Sequence, residues 1–298
     1  MKFPTHAAIF WWQPATWLRV AGTDAASFLQ GQFTNDLRAV EPGGATYGLW
    51  LNVKGKVVAD SFVGRGSAAA AEEFWVGSYF SAAAVIRERL ENFVIADDVT
   101  IEDASLAWAA VTIFGQGAFE LLGKAPDEGV IFRGRRGVEE AVEWIFPAKV
   151  RDQVHAQLSG LPQLSSEEME RRRVEAGIPA VPIDLGSGDL PNEGGLETDA
   201  VSYTKGCYLG QEVMARLKSM GQVRRRLVRV SIEGREIPAL PAPLFLAERQ
   251  VGELRSAARK DAESFVGLAM VSLLHVTAGA QLAWTPNAPT AVTVAKLS

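Results

Sequence analysis

Cysteine is almost absent. The 298 residues contain one, Cys207, and only three histidines, His6, His155 and His275. A single thiol excludes an intrachain disulfide and a cysteine-built zinc site, and the histidines are too scattered in sequence to suggest a metal centre. A lone cysteine also suits a reducing compartment. No apolar run approaches a membrane span, and the patch from Ala7 to Trp12, broken by Gln13-Pro14, is too short for a secretory signal. The expectation is a cytoplasmic protein with no membrane partner. A basic excess is missing too: the net charge is −5 and the pI near 5.4, which argues against direct nucleic-acid binding by the chain as a whole. What remains is 48% hydrophobic and 22% charged, an ordinary globular composition. It is long enough for one to three domains.

The scarce cysteine lies in the stretch richest in chemistry, Lys205-Gly206-Cys207-Tyr208-Leu209-Gly210-Gln211-Glu212. A helical run from Val213 to Leu217 follows, so Cys207 is expected just ahead of a helix N-terminus. Free N–H groups and the helix dipole favour a thiolate there, and Lys205 brings a cation two residues away. Glu212 and Arg216 stand one turn apart with the acid first, the favourable order for an ion pair. The competing reading is a small buried hydrophobe, but a core cysteine needs neither the glycines nor the charged neighbours.

Along the chain, Trp17 to Val20 alternates as a strand, Asp24 reads as an N-cap, and Ala25 to Leu29 as a short helix. Gly31 to Leu37 looks too hydrophilic for core. Tyr47 to Val53, a Lys54-Gly55 turn and Val57 to Val63 predict a β-hairpin. Phe74 to Val76 predicts a third strand, Ser81 to Phe93 a helix and Val99 to Ile101 a returning strand. Alanine-rich Ser67 to Glu73 reads as a loop or cap without function. Strands follow at Trp108 to Phe114, Val130 to Phe132 and Ala141 to Phe146, with a short helix at Gly117 to Leu122. A helix opening on Pro147 is expected to run to Leu158, with Pro162 to Ser165 a linker. Ser166, Glu167 and Glu168 open another helix, stopped near Gly177-Ile178-Pro179. The loop Asp184 to Leu196 is long for one without structure, which often marks function. Beyond a boundary near residue 221, Val223 to Ile232 and a series of short strands predict a small β-barrel or sandwich. Arg216, Lys218, Arg224, Arg225, Arg226 and Arg229 form an acid-free basic stretch. It is either a solvated strand edge or a site for a folate glutamate tail, an acidic partner or RNA; the scarcity of interleaved aromatics weakens the RNA option.

The octet resembles the signature of the YgfZ proteins, folate-binding relatives of the glycine-cleavage T-protein (aminomethyltransferase). Leu18–Leu37 is similar to the opening pattern of that superfamily, and Glu175-Ala176-Gly177-Ile178-Pro179 to a later segment of it. The resemblance covers nearly the whole chain. It implies an α+β, GcvT-like fold: two intertwined N-terminal α+β subdomains, about 1–46 with 105–220 and 47–104, plus a C-terminal β-barrel over 221–298, around a central channel. It implies a tetrahydrofolate or a derivative as cofactor, and iron–sulfur client or assembly proteins as partners. The implied role is assembly or repair of iron–sulfur clusters, mainly four-iron ones, with indirect effects on tRNA modification. Cys207 and Lys205 become the prime residues, supported by Gly206, Tyr208, Gly210, Gln211, Glu212 and Arg216. Thr34, Asn35, Asp36, Asp60, Asn192 and Glu193 become candidates for the folate pocket, with no resident metal expected. A carboxylate such as Glu193 suits a pterin because it accepts two hydrogen bonds from an aminopyrimidine edge; its plainer reading is a solvated loop acid. The nearest counterparts of folate-holding tryptophans are Trp12 and Trp17, with Met169 at the second site. The alternative function is a tetrahydrofolate-dependent aminomethyltransferase. Where T-proteins carry paired aspartates, however, this chain has Ala59-Asp60.

Overall fold

The computed structural model describes residues 7–66, 72–122 and 129–295. The predicted hairpin organises the first sheet. Strands β3 (Ala45–Leu51) and β4 (Val57–Arg65) are antiparallel. Their turn is held by the Asn52 side chain, which accepts from the N–H groups of Lys54 and Lys56. With β2 (Thr16–Ala21), β5 (Glu73–Ser78) and β6 (Thr100–Asp103) they form a five-stranded sheet in the order β3-β4-β5-β2-β6. Helices α1 (Ala25–Gln32) and α2 (Ala83–Glu91) cover one face through Phe28, Leu29, Ile86 and Leu90, against Phe33 and Trp50. Asp24 does occupy the cap position of α1, but its carboxylate accepts from the N–H of Asp98 rather than from the helix. Most of the alanine-rich stretch, residues 67–71, lies outside the described residues.

The second sheet contains β1 (Ala8–Trp12), β7 (Trp108–Phe114), β8 (Val130–Arg133) and β9 (Ala141–Pro147) in the order β1-β7-β9-β8. The apolar patch at the N-terminus is therefore an edge strand of this sheet. The two N-terminal sheets exchange chain at Gln13–Ala15 rather than near residue 46, because β2 and α1 go with the hairpin. Helix α3 (Ala118–Leu121) follows β7. Pro147 closes β9 instead of opening a helix; a 3-10 turn, Ala148–Val150, precedes α4 (Arg151–Leu158). The expected linker also differs. Pro162 and Leu164 exchange backbone hydrogen bonds with Ile9, adding a short parallel bridge to β1. Helix α5 (Ser166–Glu175) starts where Ser165 Oγ accepts from the N–H of Glu168 and stops at Gly177, whose φ is +73°.

After α6 (Gln211–Met220) comes the third sheet: β10 (Arg225–Glu233), β11 (Ala242–Leu246), β12 (Arg249–Arg259), β13 (Ser264–Ser272), β14 (Gln281–Leu282) and β15 (Val292–Val294). The order is β11-β12-β13-β10-β15-β14, and paired backbone bonds of 2.9 Å between Phe245 and Ala283 bring its two edges together into a nearly closed barrel. Val228, Val230 and Ile232 point inward while Arg229, Ser231 and Glu233 do not, the two-residue period of a half-buried strand. The three sheets meet at one buried cluster that includes Trp17, Phe62, Phe132, Tyr208, Met214 and Met270. Side chains of this size contribute roughly 1.5–3 kcal/mol each when fully buried, so this seam holds the sheets together.

Candidate functional site

The octet is built from three anchors and one exposed thiol. Lys205 is buried, and its ammonium donates to three backbone carbonyls: Gln30 at 2.7 Å, Phe33 at 2.6 Å and Asn35 at 2.9 Å. These lie at and just beyond the C-terminus of α1, where helical carbonyls lack partners and a cation complements the dipole. Burial pulls the Lys205 pKa down to about 8; Asp36 opposes the shift and Arg38 adds to it. All three ammonium protons are thus committed to backbone carbonyls. Tyr208 is the second anchor, its ring in the central cluster 5.3 Å from the Lys205 ammonium. Burial raises its phenol to about 12. Gly210 is the third. It caps α6 at φ +85°, and a Cβ there would stand 2.8 Å from the carbonyl oxygen of Asn52 in the hairpin turn. Only glycine fits such a position. Gly206 and Cys207 are left exposed between these anchors. Downstream, Glu212 and Arg216 pair at 2.7 Å on the outer face of α6, next to half-buried Gln211.

The candidates for the folate pocket are committed within the protein. Thr34 is fully buried; its hydroxyl donates to the carbonyl of Ala200 and accepts from the N–H of Leu49. Asn35 donates to the carbonyls of Tyr47 and Asp199. Asp36 accepts from Arg38 and Gln30, and the Arg38 hydrogen bond holds its carboxyl well below the usual range. In the polar stretch after α1, Thr34 is therefore interior while Asn35 and Asp36 are half-buried, and hydrogen bonds tie Thr34 and Asn35 to residues 199–202. Asp60 accepts from the hydroxyls of Tyr47, Ser78 and Ser81. Glu193 is neither solvated nor open: Arg225 grips both oxygens at 3.0 Å, and the Leu190 N–H donates to one of them. Neighbouring Asn192 keeps a buried side-chain oxygen without a partner. Arg225 also meets Asp189 at 3.0 Å, so this member of the basic stretch is paired with acids.

None of these residues is among those lining the cavity beside β1. That cavity, of about 300 Å³, opens where β1, the end of β5, the loop after β8 and α5 converge. Its walls are Phe10, Trp12, Tyr79, Phe80 and Met169; its polar lining is Gln13, Ser166, Glu170 and Arg135, Arg136 and Arg173. Arg136 is buried, with its guanidinium carbon 3.8 Å from the Tyr79 ring centroid and 4.4 Å from that of Trp12. Beneath it Glu143, wholly buried in β9, accepts from Tyr79 at 2.6 Å and Thr112 at 2.7 Å. Burial and the charge of Glu143 push the Tyr79 phenol well up. Trp12 and Met169 had been marked in the sequence, but Tyr79, Arg136 and Glu143 had not. Two signals were there: a carboxylate inside the otherwise apolar strand Ala141–Phe146, and an arginine pair between glycines in Gly134-Arg135-Arg136-Gly137.

Two interlocked N-terminal sheets with a terminal barrel define the T-protein class of fold. The solved aminomethyltransferase T of the glycine cleavage system from Bartonella henselae superposes with a TM-score of 0.81 at 19% identity, over 98% of this chain and 86% of that one. Residues 2–131 match the GCVT N-terminal domain family. Within this class, the chain is 30% identical to the human mitochondrial iron–sulfur cluster assembly factor IBA57, over 92% of its own length and 82% of that protein's. It is 26% identical to the tRNA-modifying protein YgfZ of Vibrio vulnificus, over 79% and 73% respectively. The chain belongs to the YgfZ/IBA57 family of the GcvT superfamily.

Proposed function

We propose that this protein is an accessory factor for assembly or repair of iron–sulfur clusters, offering the Cys207 thiol to a cluster or cluster-bearing partner. The observation that carries this reading is the exposed Cys207 flanked by two buried anchors, Lys205 and Tyr208, and by the tightly fitted Gly210. A four-cysteine cluster cannot be held by one thiol, so the chemistry suited to it is a single ligand given in trans, with the thiol proton released as the sulfur–iron bond forms. Gly206, with open space around its Cβ position, lets a bulky partner approach the backbone. The named roles of IBA57 and YgfZ, in cluster assembly and tRNA modification, support the same reading. A reducing compartment, cytoplasmic or, as for the human relative, mitochondrial, would suit the exposed thiol.

A tetrahydrofolate is the cofactor that fits the reading, and the cavity beside Trp12 is where it fits the structure. The space lies at the small end of ligand-site volumes. It combines ring walls with the buried guanidinium of Arg136, which pairs with Glu143 at 3.3 Å. When bound, a folate supplies one-carbon chemistry; the protein's residues hold it and exclude water. Aminomethyl transfer is the weaker alternative, because Asp60 has its oxygens occupied by three hydroxyls and Ala59 replaces its usual companion. The test is Cys207→Ala in a strain lacking the protein: fold and folate binding persist while iron–sulfur enzyme activities are not restored. Full restoration would refute the proposal. Titration of the purified protein with tetrahydrofolate, followed by tryptophan fluorescence, tests the cofactor.

A further inference from the structure

The basic stretch is only partly used inside the fold. Arg225 meets Asp189 and Glu193, and Arg229 donates to the carbonyl of Glu175. Arg224 is exposed and Arg226 half-buried, and neither side chain has a partner among the described residues. Arg216 is balanced by Glu212. Lys218, exposed on α6, has the ring of Tyr203 4.2 Å from its ammonium and no acid. It therefore reaches back to the loop that carries Cys207.

The hairpin turn brings more charge to the same place. Gly55 lies against the Val213 side chain and the Asn52 carbonyl against Gly210, so the β3–β4 turn sits on the first turn of α6. In that turn Lys54 is exposed and Lys56 half-buried, both without an acidic partner among the described residues, and Val53 is 70% exposed. The acids of the adjoining loop are spent elsewhere. Asp184 faces Arg173, Asp189 and Glu193 face Arg225, and Asp199 faces Arg135. Glu197 is half-buried, with one oxygen out of reach of solvent.

Cations gathered on one face of a chain of net charge −5 repel one another until an opposite charge approaches. An acidic protein and RNA both bring that charge. A face for single-stranded RNA would present rings for base stacking, but Tyr203 is half-buried and carries Lys218 over its ring. An exposed valine and an exposed thiol among charges suit a protein, whose interfaces set apolar anchors within a polar rim. The size also fits. Helix α6 spans about 15 Å by its rise per residue, within the roughly 800 Å² that each partner gives to a standard interface.

We propose that the β3–β4 turn, the Cys207 loop and α6 form the docking surface for an acidic protein, steered onto the thiol by Lys54, Lys218 and Arg224. The proposal rests on the reading of Cys207 as the reacting group and adds the chemistry of its partner.

Two measurements test it. Cys207 is the only thiol, so its rate with dianionic dithiobis(nitrobenzoate), divided by its rate with neutral dithiodipyridine, reports the local potential. That ratio is expected to fall about tenfold in Lys54→Glu/Lys218→Glu/Arg224→Glu, and to fall in the parent as salt is added. The matched reversal Arg133→Glu/Arg151→Glu/Lys260→Glu, at exposed cations on other elements, should leave it within about twofold. Lys218→Glu alone, expected to lower the ratio about threefold, carries the test if the first triple variant fails to fold.

In a strain lacking the protein, a benzophenone side chain placed at Val53 then marks what covers the face, with the adduct identified by mass spectrometry. The expected adduct is a protein of acidic isoelectric point, formed about tenfold less in the first triple variant and equally in the second. An unchanged rate ratio, a basic protein, an RNA adduct or no adduct would overturn the proposal. The adduct should persist in Cys207→Ala. If it does while Cys207→Ala restores the iron–sulfur enzymes, the thiol reading fails and the docking surface stands. If Cys207→Ala restores nothing while the first triple variant keeps both adduct and activity, the docking surface fails and the thiol reading stands.

Discussion

The ammonium of Lys205 stands 2.6 Å from the carbonyl oxygen of Phe33, a residue 172 positions earlier in the chain. With the Gln30 and Asn35 carbonyls it closes the end of α1 and fastens the thiol loop to the hairpin sheet. Lys205→Met keeps the stem and removes the donors, leaving the Phe33 carbonyl buried without its partner. The expected loss is about 3 kcal/mol, since hydrogen bonds to charged groups are worth roughly 1.5–3 kcal/mol and an orphaned acceptor adds its desolvation. Urea denaturation measures it. A loss under about 0.5 kcal/mol would show that the contacts hold nothing.

The two glycines of the octet are expected to behave oppositely. Gly210→Ala meets the Asn52 carbonyl and a left-handed backbone at once, so it should cost about 1–3 kcal/mol. It should also change the rate at which Cys207 reacts with a thiol reagent, because the loop must shift. Gly206→Ala meets open space and should stay within about 0.5 kcal/mol of the parent. Equal effects of the two substitutions would contradict the anchor-and-thiol arrangement.

Local signals in the sequence announced local structure well. Apolar runs around Lys54-Gly55 pointed to the hairpin, Ser166, Glu167 and Glu168 to the start of α5, and the run Val223 to Ile232 to β10. The thiol's setting just before a helix was legible from the helical run Val213 to Leu217. What was hidden is long-range. Lys205 reads as a neighbour of Cys207 because sequence distance is all that is visible; its true partners are three carbonyls on another element. Glu193 reads as a loop acid until β10 brings Arg225 against it. The cavity is assembled from four separate segments, so Trp12, Tyr79, Arg136 and Glu143 share nothing in the sequence that would group them.

Asp60 makes a pH prediction of one sign. Burial is the largest influence and raises its pKa, with hydroxyl bonds from Ser78, Ser81 and Tyr47 and the charge of Arg135 opposing. The folded protein therefore holds this proton more tightly than the unfolded chain, whose aspartates titrate near about 3.9. Stability from this group is fully present below that value and declines as pH rises through the folded pKa. Asp60→Asn removes the titration, so the stability of the parent relative to the variant should fall as pH climbs from about 4. A difference independent of pH would refute the assignment.

Asp189 predicts the reverse. Burial alone would raise its pKa, but the Arg255 hydrogen bond, the Gly186 N–H and the charges of Arg255 and Arg225 outweigh it and hold the carboxyl low. Its oxygens meet Arg255 at 2.6 Å and 3.2 Å and Arg225 at 3.0 Å, joining the loop before the octet to β10 and β12 of the barrel. The unfolded chain binds this proton at a higher pH than the folded one. The contribution to stability is thus complete above about pH 4 and is lost as pH falls through the folded value. Asp189→Asn should cost about 2 kcal/mol at neutral pH, because it removes charged hydrogen bonds from two arginines that keep only Glu193 and Glu253 as carboxylate partners. The gap between parent and variant should close in acid, where the parent's carboxylate is protonated as well. Urea denaturation of both proteins from pH 7 down to about pH 2.5 reads the gap directly. Parallel stability curves over that range would mean that the seam between loop and barrel does not depend on this carboxylate.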